Sequence, residues 1–162
     1  MAQEMVGLTE VRQEIAAALA LVRHDRWTVG GLRGGGLAVI ADSSRRTLRP
    51  GARVRELAPL ARRCVHERQP LAVSSVMEPA AGARHHDWEL DWPAVLYAPI
   101  GRPRGRLVGL LTIGSRSPHW YVAEEVAFVR DLADMLIPWV VAMGSGAQPF
   151  GERERRLPYL VR

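Results

Sequence analysis

The chain contains no lysine, no asparagine and a single cysteine, Cys64. One thiol excludes a disulfide framework and any multi-cysteine metal site, and it suits a reducing, cytoplasmic setting. No run of 18 or more apolar residues occurs, so no membrane-spanning helix is expected. The nearest imitation of a signal peptide, "IAAALALV" over residues 15–22, follows Glu4, Glu10 and Glu14 rather than a basic start, which argues against secretion. The missing lysine also shapes the charge. All 22 basic residues are arginine, against 17 acidic ones, for a net charge of +5. Arginine-only usage looks like the codon bias of a GC-rich genome. The arginines are scattered over several short clusters without interleaved aromatic residues, so a nucleic-acid platform is disfavoured and a solvated arginine-rich surface is expected.

What is present is ordinary for a folded domain: 162 residues, 48% hydrophobic and 24% charged. A chain of this length buries roughly 70% of the surface its unfolded form exposes, enough for one core. Residues 1–143 are expected to form that single domain, and 144–162 a Gly/Pro/Arg-rich tail. Val11, Ile15, Leu19 and Val22 recur at helical spacing, which predicts a helix over 9–26 with Thr9 as its N-cap. The glycines of "GGLRGGG", residues 30–36, lead into β-branched "LAVIAD". They predict a flexible connection or bulged strand, not a phosphate-binding loop, because the Gly-Lys-Ser/Thr step is missing. A hairpin follows, with a strand over 37–41, a turn at Asp42-Ser43-Ser44 and a short polar return strand. A second helix is expected over 57–68, with Pro59 in its first turn and Leu57, Leu60, Cys64 and Val65 on its buried side. "PLAVSSV", residues 70–76, reads as another strand.

A connection of about 16 residues, Met77–Trp92, comes next, a length typical of lids. "AVLYAPIGRPRGRLVGLLTIG" then predicts a long hairpin, with strands over 94–100 and 106–114. The last helix should run from about Val122 to Met143 and bend at Pro138. It carries two apolar stripes: Val122, Val126, Val129, Ala133, Leu136 and Val140, and Phe128, Leu132, Met135 and Trp139. One stripe suffices for a surface helix, so the second demands a cover. Hairpin strands flanked by helices, without one-for-one alternation, indicate an α+β fold with a mainly antiparallel sheet.

"ERQPLAVSSV", the long connection, "AVLYAPIGRPRGRLVGLLTIG" and "VAEEVAFVRDLADMLIPWVV", in that order, resemble a GAF domain. The matching positions are Gln69-Pro70-Leu71, Ala98-Pro99-Ile100, Val108-Gly109-Leu110-Leu111 and Glu124-Glu125, within a similarity spanning about residues 8–143. Independent physical reasons fit these positions: Pro99 lacks a donor where a sheet edge ends, Gly109 permits close approach, and the glutamates oppose the positive end of a helix dipole. The resemblance implies a profilin/PAS-like antiparallel sheet, with the N- and C-terminal helices on one face and a covered pocket on the other. It also implies a non-catalytic sensory or docking module that binds a small molecule or a partner protein. A homodimer through the terminal helices would cover the second stripe, with Val11, Ile15, Leu19, Phe128, Leu132, Met135 and Trp139 at the interface.

The pocket candidates are His85, His86, Trp88, Trp92 and Tyr97. Trp88 and Trp92, four residues apart, could roof a ligand or simply plug a dry core. Adjacent histidines point apart, so no metal is expected at His85-His86-Asp87. A metal phosphohydrolase reading with His66 and Asp131 fails because such enzymes are all-helical. The resemblance leaves one enzymatic alternative, a redox enzyme of the GAF-like methionine sulfoxide reductase type using Cys64. Those relatives use several cysteines, and the roof connection here has none. A bilin would need a cysteine there too, and the signature of cyclic-nucleotide-binding members is missing. The cofactor, if any, is unnamed by the residues. A second alternative is arginine-mediated nucleic-acid binding through the tail.

Overall fold

The computed structural model describes residues 2–34, 36–44, 53–54, 57–74 and 92–146. Its elements, in chain order, are α1 (Ala2–Leu19), β1 (Arg26–Arg33), β2 (Gly36–Asp42), β3 (Arg53–Val54), α2 (Pro59–Glu67), β4 (Leu71–Ser74), β5 (Ala94–Gly101), β6 (Leu107–Ser115), α3 (Ala123–Met135) and α4 (Ile137–Gly146). Six strands form one sheet in the order β3-β2-β1-β6-β5-β4, and every neighbouring pair is antiparallel. The expected α+β class and antiparallel sheet are what the chain adopts.

Alternation along the strands divides the interior in two. Leu96, Ala98 and Ile100 of β5 and Leu111 and Ile113 of β6 face α1, α3 and α4, where they join Ile15, Leu19, Val129, Leu132, Ala133 and Val140. Val95, Tyr97 and Leu110 face the other way, onto Leu57, Ala61, Cys64 and Val65 of α2 and its approach. The period of two in the strands and of 3.6 in the helices makes both layers.

One strand is absent from the sequence reading, and it lies inside the sheet. The expected helix over 9–26 begins at Ala2 and stops at Leu19, and β1 occupies Arg26–Arg33 between β2 and β6. Its Gly30-Gly31 pair looks like a helix break or flexible connection. Within the sheet it answers crowding. A Cβ on Gly30 would lie 3.0 Å from Leu37 Cδ2, and the register with β2 slips at Val29/Gly30. Of the flexible connection or bulged strand expected over 30–36, residues 30–33 finish a strand whose register slips at Val29/Gly30, and the chain reverses at Gly34, whose φ is +51°.

The last helix breaks where a proline removes its donor. α3 ends at Met135 and α4 starts at Ile137, with Pro138 in its first turn. The N–H of Leu136 is shared between the carbonyls of Leu132 and Ala133, both at 3.2 Å. At the other end of α3, Glu125 Oε2 accepts from the Val122 N–H at 3.0 Å, so one of the paired glutamates caps as well as opposing the dipole. Pro99 lies beyond the β4 pairing, which covers only Ala94–Tyr97 of β5, so its missing donor costs no bond to β4.

The second stripe of the last helix needs no partner molecule for most of its length. Leu132 is buried, and Phe128 and Trp139 pack against the cluster that α1 supplies with Ile15 and Leu19. Both stripes are used because the helix is sandwiched between the sheet and α1. This corrects the interface expectation. Ile15, Leu19 and Leu132 have 1%, 0% and 8% of their surface exposed and have nothing left to offer a second copy. Val11 is half-buried against the same cluster, and only Met135 of the seven stands well out, at 78%.

Candidate functional site

The face of the sheet opposite the terminal helices is apolar at one end and polar at the other. Under α2 it consists of Leu32, Leu37, Val95, Tyr97, Leu107 and Leu110. Farther along, cross-strand pairing sets Tyr97 beside Thr112, Thr112 beside Thr28, and Thr28 beside Asp42. Four adjacent strands thus place a phenol, two hydroxyls and a carboxylate in one row, all buried. Buried polar groups persist only when hydrogen-bonded. Asp42 Oδ2 accepts from Arg26 Nη2 at 2.7 Å, from Arg26 Nε at 3.2 Å and from the Thr28 hydroxyl at 2.8 Å. Its other oxygen, Oδ1, accepts from the Ser44 N–H at 2.6 Å. The side chains of Arg26 and Asp42 are 8% and 2% exposed, so this is a buried ion pair with its lone pairs in use.

Trp92 closes the same end. Arg26 pairs across the sheet with Gly114, and the half-buried Trp92 ring lies over that glycine. A Cβ on Gly114 would sit 2.8 Å from Trp92 Cε3, so the missing side chain makes the ring's seat. The Arg116 guanidinium stands 5.6 Å from the ring centroid, within cation–π range. The chain leaves β4 at Ser74 and re-enters at Trp92, both at this end, since Ser74 pairs with Ala94 and Ala94 with Ser115.

Two of the five pocket candidates are therefore on this face, Tyr97 on the floor and Trp92 at the rim. His85, His86 and Trp88 lie outside the described residues. Arg26, Thr28, Asp42 and Thr112 were missed. They are spread over β1, β2 and β6, and the strand carrying the first two has the local sequence of a helix end and a connection. The alternation of Arg26, Thr28 and Gly30 with Trp27 and Val29 is the sequence signal for the two on β1.

Cys64 has no place in that row. It is fully buried under the apolar half. Burial, with a smaller push from Glu67, raises its thiol to about 12 from an ordinary 9.0. A neutral, desolvated thiol is a poor nucleophile. The shift also sets a pH dependence. The folded-state value is raised, so the contribution is complete below the unfolded value near 9 and is lost as pH rises toward 12. By pH 10 the Cys64 thiol alone should have cost the protein on the order of 1 kcal/mol relative to pH 8, and Cys64→Ala should remove that part of the loss in urea titrations. Native-state labelling of Cys64 by a thiol reagent should accompany unfolding; rapid stoichiometric labelling would reinstate a redox role.

Elsewhere, His119 and Tyr121 meet edge to face at 4.6 Å beside Glu125, and His119 Nε2 lies 3.5 Å from Glu125 Oε2. Burial, then the Glu125 and Asp25 carboxylates, push the Tyr121 phenol above its ordinary value. Among the described residues no group of three or more His, Cys, Asp or Glu side chains could hold a metal, and no helix is long and apolar enough to cross a membrane.

This geometry, a six-stranded antiparallel sheet with terminal helices on one face and a covered polar floor on the other, has a family match. The GAF domain family pattern fits residues 7–137. The chain belongs to the GAF domain family. Solved GAF domains share the fold at low identity. One, from a two-component sensor histidine kinase of Bacillus halodurans, is 19% identical, with a TM-score of 0.66 over 85% of this chain and 95% of that one. Another, from a phosphoenolpyruvate-protein phosphotransferase of Coxiella burnetii, is 20% identical, with a TM-score of 0.62 over 85% and 92%. The type II free methionine-R-sulfoxide reductase of Thermoplasma acidophilum is 19% identical, with a TM-score of 0.63 over 84% and 96%. Identities this low establish the shared fold, not a shared activity. No curated protein matches the chain in sequence. GAF domains are typically sensory or regulatory, though the reductase is an enzyme.

Proposed function

We propose that this GAF domain is a non-catalytic, cytoplasmic sensory module that binds a small molecule on the polar half of the second sheet face. The observation that carries the reading is the row Tyr97–Thr112–Thr28–Asp42, flanked by Arg26 and by Trp92 on its glycine seat. A dry, filled core gains nothing from polar side chains in register across four strands, whereas a small ligand uses a few convergent polar groups in an otherwise apolar pocket. An aromatic rim fits the same use. The inert position of Cys64 supports binding over redox turnover.

In this reading the domain works as a homodimer, joined through what its terminal helices leave exposed. Met135 on α3, Val141 on α4 and Leu21 just after α1 keep 78%, 49% and 81% of their surface. Native mass spectrometry addresses ligand and subunit number together. Wild type purified from its own cytosol should carry a retained mass that Gly114→Val, by unseating Trp92, releases. Met135→Glu should shift dimer toward monomer while keeping that mass. A ligand-free monomer in the wild type would overturn both parts.

A further inference from the structure

One end of the sheet mixes both signs of charge, with Arg26 and Arg116 among its acids, whereas the exposed charges on the turn at the other end are arginines. Asp25, Asp42 and Glu125 lie at the end where β1 starts and β6 finishes: Asp25 N–H bonds the Gly114 carbonyl at 2.8 Å, Asp42 pairs with Thr28, and Glu125 caps α3 just beyond β6. The other end, about 23 Å away along β6 at ~3.3 Å per residue, is the β5–β6 turn. Arg102, Arg104 and Arg106 are all exposed there. None of the three enters an ion pair among the described residues.

Two further arginines are drawn to that turn. Arg68 sits in the left-handed region, φ +57°, at the C-cap of α2, a conformation that costs an ordinary residue about 1 kcal/mol. From there its Nη1 donates to the Gly105 carbonyl, which moors α2 to the turn. Arg33 ends β1 close enough to Arg106 for the two guanidiniums to oppose one another. Partial burial, together with that repulsion, disfavours the charged form of Arg33. The turn itself is held by the Gly105 N–H donating to the Arg102 carbonyl at 3.0 Å. Five arginines are thus gathered about a pinned turn, and Glu67, next to Arg68 in the chain, is already paired with Arg63 at 2.8 Å.

We propose that the β5–β6 turn end of the domain is a docking surface for a carboxylate-rich segment of a partner protein. Guanidiniums suit carboxylates because the planar fork bonds both oxygens, and the exposed Arg102, Arg104 and Arg106 present three such forks on one turn. Single-stranded nucleic acid is the poorer fit. Binding it calls for aromatic platforms between the cations, and the turn, Arg33 and Arg68 have no exposed aromatic neighbour in sequence. The surface lies at the opposite end from Trp92 and Thr112, so it is independent of the small-molecule reading and fails or stands separately from it.

The test uses a fluorescent ten-residue glutamate peptide and a single-stranded oligonucleotide of equal charge, titrated into the full chain over a salt series. Wild type should bind the peptide, more weakly as salt rises. Arg102→Glu/Arg104→Glu/Arg106→Glu should weaken it about tenfold or more, with unchanged thermal unfolding because the turn side chains are exposed. Arg12→Glu/Arg23→Glu/Arg130→Glu, the same charge change on and beside α1 and α3, should alter it less than about twofold. Three results would overturn the proposal: no peptide binding at low salt, equal loss in both triple variants, or an oligonucleotide that binds more tightly than the peptide and depends on the same turn.

Discussion

Asp42→Ala should cost about 3–5 kcal/mol of folding free energy, because it removes the charge that balances a buried guanidinium. Arg26 loses the acceptor of both its Nη2 and Nε bonds, Thr28 loses its hydroxyl partner, and the Ser44 N–H loses Oδ1. With 8% of the Arg26 side chain exposed, water cannot replace these partners without opening β1 from β2. Domains of this size are stable by about 5–15 kcal/mol in total, so the variant should lie near the edge of folding. Removing both charges is a different matter. Arg26→Met/Asp42→Leu should recover most of the loss, since a buried ion pair roughly balances its own desolvation and an apolar pair of similar volume has none to balance. Urea midpoints of the wild type, the single and the double variant check this. A single-variant cost under about 1 kcal/mol would mean that the pair is hydrated and the row is not a buried floor.

Gly109→Ala should be nearly as damaging, for a steric reason. A Cβ there would lie 2.5 Å from the Gly30 carbonyl oxygen and 3.2 Å from Val140 Cγ1. The oxygen belongs to the backbone of β1, so relief requires moving one interior strand from another, and α4 as well. The expected cost is about 3 kcal/mol, or roughly 6–12 °C in Tm, and Gly109→Val should be worse. The cross-strand partner of Gly109 is Gly31, which supplies the control. A Cβ on Gly31 meets Ile40 Cδ1 at 3.4 Å, an ordinary contact. Gly31→Ala should therefore be neutral or stabilise by up to about 1 kcal/mol, through the unfolded chain. Thermal melts should put Gly109→Ala well below the wild type and Gly31→Ala at or above it. Equal melts would show that β1 and β6 are not pressed together at Gly109.

These glycines mark how far a sequence can be read locally. Gly31 and Gly109 are indistinguishable as letters, yet one accepts a methyl group and the other does not. The hairpin strands over 94–100 and 106–114 are observed within one residue of where alternation and the Gly101–Gly105 turn put them, and α2 lies within 57–68. Those elements are short-range: apolar period, turn residues and Pro59 all act within a few positions. β1 is not legible locally because its glycine pair opposes strand formation and is favoured only by what packs on it, Leu37 and the paired β2 and β6.

The sequence alone determined the class of fold, the order of most elements and the poverty of cysteine chemistry, because periodicity, turn composition and residue counts are properties of neighbouring positions. It could say that the last helix has two apolar stripes but not what covers them. Only tertiary structure decided that α1 and the sheet take Leu132 and most of the second stripe. Only the register brought Tyr97, Thr112, Thr28 and Asp42 into one row. The reason is that a side chain's face is set by its own strand or helix, whereas what it meets there is set by chain segments far away in sequence.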